Sequence, residues 1–491
     1  MFSRQHKPFQ LFTIALLIAM FLPRVFPEGM FADALTYTSI ARNMAIGRGT
    51  FWQPYFSSSF WIPFEGKTFE FYGHPPFVMG SMAVFFKVLG EHWFVEKAYC
   101  IVIWALNVWG VYSLWRLLSK EKNLWWLALL AWYMMPVPLW CYPWAMLDNT
   151  MVVFTFAAAW LILRGLTQSK KPYFEMVLAG LCLHLAFLSK GPTGVYPLAI
   201  PFIFAYFYKN ELSYSKVFEY IFVATATFIG TFALWFLYQP AANYLSHYFN
   251  TQLVSSIAEN SQTEDWTWYE YVEVIPSILQ QGVAPLAIAV MMFIFAKIKG
   301  VSFIFEAETT KRAKFYLTIA LAGTLPMMVS HKMDTFYVLP ALPFFAMAFT
   351  SFVEPTMRDW VGRFTMSPIK TMVVNRGMIV LILGVFAYSF YTFGTIGRDD
   401  EMLNDLKILR GQIPNDDLKI GVTSSAMKDF MVHTYFERYY KWELTYLNDA
   451  PPYFLLDNQM LSNVDTMPQL KQYRAIDLPK LQRFRLFVKK Y

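Results

Sequence analysis

Long apolar runs separated by short polar links dominate the chain. The runs lie near 9–25, 98–118, 124–142, 149–165, 174–189, 191–208, 217–238, 276–296, 314–329, 336–353 and 377–395. Most approach the roughly 20 residues that a helix needs to cross a bilayer core. The pattern predicts an all-α polytopic membrane protein of about eleven transmembrane helices, give or take two. A transmembrane barrel would instead show short segments of alternating hydrophobicity. The run from Phe77 to Val88 is short and carries Lys87. Counted as a span, it would put Ser119–Lys122 and Lys170–Lys171 on the outer side, against the excess of basic residues expected in inner loops. It is therefore read as a juxtamembrane or re-entrant helix within the first outer loop.

The links then sort by charge. Arg4 and Lys7 precede the first run, which places the N-terminus on the cytoplasmic side. The basic links at 119–122, 164–171, 209–216, 297–314 and 358–376 fall on the same side. From about Gly397 the chain turns polar. Leu418–Thr423, Tyr453–Leu456 and Arg483–Lys489 read as strands, and Met427–Tyr440 as a helix. This predicts a membrane domain over 1–396 and a small outer α/β domain over 397–491. The membrane domain includes a first outer loop at 27–95 and a second long outer loop at 239–275.

Composition narrows the partners. The chain has 491 residues, 56% hydrophobic and 15% charged, with a net charge of +7. Basic inner links explain the positive charge, so no nucleic-acid partner is expected. Cys100, Cys141 and Cys182 lie in apolar runs and read as core filler. No small-residue cleavage site follows the first run, which is kept as a span. There is no Walker loop, GxGxxG, HExxH or CxxC pair.

Ionisable groups collect at the outer ends of the spans, where they are costly unless solvated or functional. Asp33 and Tyr37 stand four apart in ADALTYTSIARNM, on one face of a helix that also carries Arg42. Asp33 reads as a general base for an incoming hydroxyl, or as an acid at a helix start. In Tyr72-Gly73-His74-Pro75-Pro76 the prolines fix the backbone around His74. That histidine suits a phosphate oxygen, a metal or a plain turn. Asp148 either caps the following helix or orients a basic group or metal. Lys190, before Gly191-Pro192, either snorkels or faces a departing phosphate. His331 and Lys332 form a second short basic link, with Tyr337, Leu339 and Pro340 after it. Loop 239–275, aromatic and polar, reads as a cover that helps admit an acceptor. A divalent metal is left open, with His74 and Asp148 as its candidate ligands. A transporter or flippase of lipid-linked sugars is the reading from another class. It would carry polar residues at mid-span, where these runs are mostly apolar.

These pieces resemble the polyprenyl-phosphate-sugar-dependent glycosyltransferases of the C-type membrane fold. That family includes the bacterial aminoarabinose transferases and the protein O-mannosyltransferases. The resemblance rests on Asp33 with Tyr37, Ile40, Ala41 and Arg42, and on Gly73-His74-Pro75-Pro76. It also rests on Asp148, on Phe187–Pro192, and on His331-Lys332 with Tyr337–Pro343. It covers roughly residues 10–350. It implies Asp33 as base or site organiser, and Lys190, with Arg42 and Lys332, as binders of the lipid phosphate. Tyr37, His74, Asp148, His331 and Tyr337 join the substrate-binding set. It implies inverting transfer from a polyprenyl-phosphate (undecaprenyl-phosphate) sugar to a lipid, glycan or protein acceptor, lipid A among them. The expected location is a bacterial inner membrane, with the C-terminus periplasmic. The aminoarabinose enzymes carry Asp-Glu and Lys-Pro-Pro where this chain has Asp33-Ala34 and His74-Pro75-Pro76.

Overall fold

A computed structural model describes residues 5–60, 70–209, 211–254, 272–298, 300, 302–329, 334–363, 366–458 and 467–490. The chain divides into two compact units. The first comprises Met1–Val25, Gly73–Phe77 and Cys100–Tyr391; the second comprises Phe26–Tyr72, Val78–Tyr99 and Thr392–Tyr491.

The first unit is a helical bundle. Among the described residues of the chain, eight helices are long and apolar enough to cross a membrane. They are Lys7–Val25, Val95–Leu118, Leu147–Thr167, Pro172–Lys190, Tyr214–Leu237, Val274–Phe295, Thr335–Arg363 and Pro368–Tyr391. Three further expected spans are shorter or interrupted. Residues 124–142 form Trp125–Tyr133 and Pro136–Cys141, broken where Pro136 removes a backbone donor. Residues 191–208 begin as 3-10 turns around Pro192 and Pro197 and become helical only over Ile200–Phe207. The helix expected at 314–329 runs from Ala307 to Thr324, with a charged start, and ends in a 3-10 turn at Pro326. Phe77–Leu89 is a 13-residue helix, too short to span.

Burial separates inner from outer helices. The apolar window of Thr335–Arg363 is 72% buried, whereas that of Pro368–Tyr391 is 6% buried. Leu147–Thr167 packs on Pro172–Lys190, which packs in turn on Tyr214–Ala233. Gly180 makes the second crossing close: a Cβ there would stand 2.5 Å from the Ala224 carbonyl oxygen. Ala307–Thr324 pairs with Leu342–Arg363 through a buried Arg312–Glu354 ion pair. Arg312 also donates to Ser351 Oγ at 3.3 Å, and Ser119 donates to Glu354 at 3.3 Å.

The second unit holds a five-stranded sheet in the order Glu443–Thr445, Lys419–Val422, Tyr453–Asp457, Phe484–Lys489, Tyr473–Ile476. The first three strands are parallel and the last two pairings antiparallel. Phe454, Leu456, Leu470 and Tyr473 form its core cluster. The three expected strands are present, as is a helix over Phe430–Tyr440. Two further strands and the helix Asp400–Gln412 complete the unit.

The second unit joins the C-terminal stretch from Thr392 to Phe26–Tyr72 and Val78–Tyr99, residues that precede most of the helical bundle in sequence. Helix Ala32–Ala45 packs on helix Phe430–Tyr440. The Glu28 amide donates to the Thr395 carbonyl at 2.7 Å, and Gly397 returns a bond to Glu28 at 3.0 Å. Arg438 pairs with Glu96 at 2.5 Å, both side chains almost fully buried. These bonds join residues hundreds of positions apart, which no local periodicity reveals.

Candidate active site

In the second unit, Asp33 lies in the first turn of helix Ala32–Ala45, half-buried. Tyr37, one turn on, is buried, with its ring edge-on to Phe71 at 6.2 Å between centroids. Arg42 lies nine residues along from Asp33, on the order of 14 Å at 1.5 Å per residue.

Arg42 is enclosed. Its guanidinium donates to the Glu437 carboxylate at 2.7 Å, to the carbonyls of Glu437 and Arg438, and to Asn43 Oδ1. Only 1% of the residue is exposed. Burial pushes the Glu437 carboxyl above its ordinary value, while Arg42 and Asn43 pull it back. With its donors committed inside the unit, Arg42 anchors the Asp33 helix and offers nothing to a substrate phosphate. The sequence-based role for Arg42 is corrected accordingly.

In the first unit, Asp148 stands in the first turn of Leu147–Thr167 and Lys190 in the last turn of Pro172–Lys190. The packing of those helices brings them together. Lys190 Nζ donates to both Asp148 oxygens, at 2.6 Å each. The side chains are 8% and 1% exposed. Lys190 Nζ also lies over the Tyr337 ring at 3.9 Å and over the Phe336 ring at 4.8 Å. The cation is thus matched by one carboxylate and two aromatic faces. Asn149, next to Asp148, donates to the carbonyls of Cys141 and Trp144, fixing the start of its helix.

Gly191 continues from Lys190 with φ +108°, a conformation that L side chains rarely adopt. A Cβ there would meet the Tyr248 hydroxyl at 2.4 Å. Tyr248 donates to the Lys190 carbonyl at 3.5 Å. Tyr244, one turn earlier on helix Gln239–Tyr248, donates to the His74 carbonyl at 2.6 Å. The short helix Gln239–Tyr248 therefore touches both the His74 turn and the Lys190 link. Sequence reading missed Tyr244, Tyr248 and Phe336. The spacing of two tyrosines four apart was visible; their partners 170 and 58 positions away were not.

His74, Asp148, Lys190 and Tyr337 lie in the first unit, and Asp33, Tyr37 and Arg42 in the second. His331 and Lys332 lie outside the described residues, as does 255–271 of the second outer loop. Among the described residues, no group of three or more His, Cys, Asp or Glu is placed to hold a metal ion.

Comparison with known proteins bears on this geometry. A family model described as dolichyl-phosphate-mannose-protein mannosyltransferase matches residues 73–236, the segment that contains His74, Asp148 and Lys190. No curated protein sequence matches the chain. The structure is similar to that of ArnT from Cupriavidus metallidurans bound to undecaprenyl phosphate. The TM-score is 0.59 at 14% identity, covering 97% of each chain. The apo form of that protein matches equally, covering 97% of this chain and 96% of its own. An Archaeoglobus fulgidus oligosaccharyltransferase aligns with a TM-score of 0.48 at 12% identity, over 97% of this chain and 72% of its own. In fold over nearly its whole length, and in sequence over residues 73–236, the chain resembles the C-type polyprenyl-phosphate-sugar-dependent glycosyltransferases of the aminoarabinose transferase and protein O-mannosyltransferase superfamily.

Proposed function

We propose that the chain is an integral membrane glycosyltransferase. It moves a sugar from a polyprenyl-phosphate donor to a lipid, glycan or protein acceptor on the outer face of a bacterial inner membrane. Undecaprenyl phosphate is the donor carrier that the shared fold favours, because the similar ArnT structure is bound to it. The observation that carries the reading is the Asp148–Lys190 pair, held inside the segment that matches the mannosyltransferase family.

A lipid-phosphate sugar is already activated, so the enzyme has three tasks. It must align an acceptor oxygen opposite the phosphate, take its proton and receive the leaving charge. Asp33 takes the acceptor proton. The acceptor oxygen bonds to the anomeric carbon as the bond from that carbon to the phosphate oxygen breaks, which inverts the centre. The polyprenyl phosphate leaves as an anion. Lys190 meets that anion, with Asp148 and the Tyr337 and Phe336 rings fixing where its ammonium points. The pair is close to neutral, so it places a donor without attracting every passing anion. His74 and Tyr37 are further substrate-binding residues in this reading. His331 and Lys332 supply further positive charge for the phosphate.

The test is turnover of the purified protein in lipid with a panel of polyprenyl-phosphate sugars, wild type beside Asp33→Asn. Sugar released and transferred by wild type, with a loss of at least roughly 100-fold in the variant, is the expected result for removal of a general base. Equal transfer by both removes Asp33 from the chemistry. Movement of intact donor between leaflets with no transfer by either protein overturns the transferase reading in favour of a flippase.

A further inference from the structure

A second feature of the helical bundle is unused by this chemistry. A cavity of about 820 Å³ opens where helices Lys7–Val25 and Pro368–Tyr391 begin. Gln5, Lys7 and Pro8 line it from one helix start; Thr371, Asn375, Arg376 and Ile379 are among those that line it from the other. Both N-termini therefore face the same space, and the two packed helices run parallel. We propose that this cavity binds an anionic phospholipid, with its headgroup phosphate between Lys7 and Arg376.

Four features argue for that occupant. Two cations line the cavity, and none of the lining residues among those described is acidic. Two helix N-termini add positive dipole ends to the same space. The Asn375 amide oxygen is buried without a hydrogen-bond partner among the described residues. A half-turn of that amide about its Cβ–Cγ bond would present its N–H groups to a phosphate oxygen instead. The fourth feature favours a lipid over a free anion. Ile379, Val380 and Leu383 follow Arg376 at three, four and seven positions, so they continue its face of the helix, and all are exposed. A headgroup at Arg376 thus has its acyl chains laid against an apolar stripe, on a helix whose apolar window is only 6% buried. The basic links at this end argue for the cytoplasmic leaflet, where anionic lipids attract basic groups.

Native mass spectrometry of the full chain, released from vesicles of equal phosphatidylglycerol and phosphatidylcholine, tests the proposal. Wild type is expected to retain one phosphatidylglycerol in preference to phosphatidylcholine. Lys7→Gln with Arg376→Gln should lower that retention by roughly 30-fold. Lys7→Arg with Arg376→Lys should keep it. Lys170→Gln with Lys171→Gln, an equal change in net charge elsewhere, should leave it unchanged. A melting midpoint measured without phosphatidylglycerol shows that each variant is folded. Equal retention by wild type and the Lys7/Arg376 double variant overturns the site. Loss of the lipid on adding millimolar glycerol phosphate overturns the lipid in favour of a soluble phosphate.

Discussion

Removing Lys190 should damage the fold before it damages the chemistry, and the size of the effect follows from its surroundings. The ammonium stands 2.6 Å from both oxygens of Asp148, and both side chains are more than nine-tenths buried. At that distance, in an effective dielectric near 20, the attraction is on the order of 6 kcal/mol, much of it offset by desolvation of both ions. Deleting one partner of such a pair leaves an unpaired buried charge and typically costs about 3–5 kcal/mol; replacing both is often near neutral. Lys190→Met is therefore expected to destabilise by about 3–5 kcal/mol, and Asp148→Asn with Lys190→Met by less than about 1.5 kcal/mol. The assay is unfolding in mixed micelles at rising SDS fraction, followed by far-UV circular dichroism, with both single variants and the double completing a cycle. If the double variant then folds but releases no sugar from a lipid-phosphate donor, the Asp148–Lys190 pair acts in the reaction. A cost below about 1 kcal/mol for Lys190→Met, with the double variant equal to the sum of the singles, would refute the reasoning. The ammonium and carboxylate would then be independently solvated.

Other outcomes follow from single contacts. Arg42→Met should destabilise the second unit by about 3–5 kcal/mol, because it strips Glu437 of its buried counter-charge. Arg42→Lys should recover little of this, since one ammonium cannot reproduce the five bonds that the guanidinium makes; hydrogen exchange over helix Phe430–Tyr440 reads both. Gly191→Ala should cost about 1–3 kcal/mol through its positive φ and the Tyr248 hydroxyl in its path. Adding Tyr248→Phe should restore part of that melting midpoint. Burial lowers the pKa of His433 below 6.5, against smaller upward effects from the Met427 carbonyl and Asp429. The unfolded chain therefore binds a proton that the folded one refuses. This stability is complete above about pH 6.5 and falls as the pH drops toward the lowered value, by up to about 1.4 kcal/mol per pH unit. His433→Asn should flatten that slope in melts of the second unit between pH 5 and 7.

Much of the protein follows from the sequence alone, for one reason. A bilayer imposes long apolar helices on any chain that crosses it, and a 20-residue run of Leu, Phe and Ile is visible without knowing its neighbours. The eight long helices, the short helix at Phe77–Leu89 and the polar C-terminal strands were legible in this way. So were the candidates His74, Asp148, Lys190 and Tyr337, as polar groups at the ends of apolar runs. What they touch was decided by packing. Asp148 and Lys190 are 42 positions apart, and only the crossing of two helices makes them one ion pair. In sequence Arg42, like Lys190, was a cation near the end of an apolar run and a candidate for the lipid phosphate. Its partner Glu437 lies 395 positions on, and that contact turns a candidate phosphate ligand into an anchor. The same holds for the assignment of residues 26–72 and 78–99 to the C-terminal unit, since the backbone bonds at Glu28 and Thr395 leave no trace in local periodicity. Hydrophobic pattern is a property of each segment, whereas the pairing of buried charges belongs to the folded whole, where desolvation makes a partner obligatory.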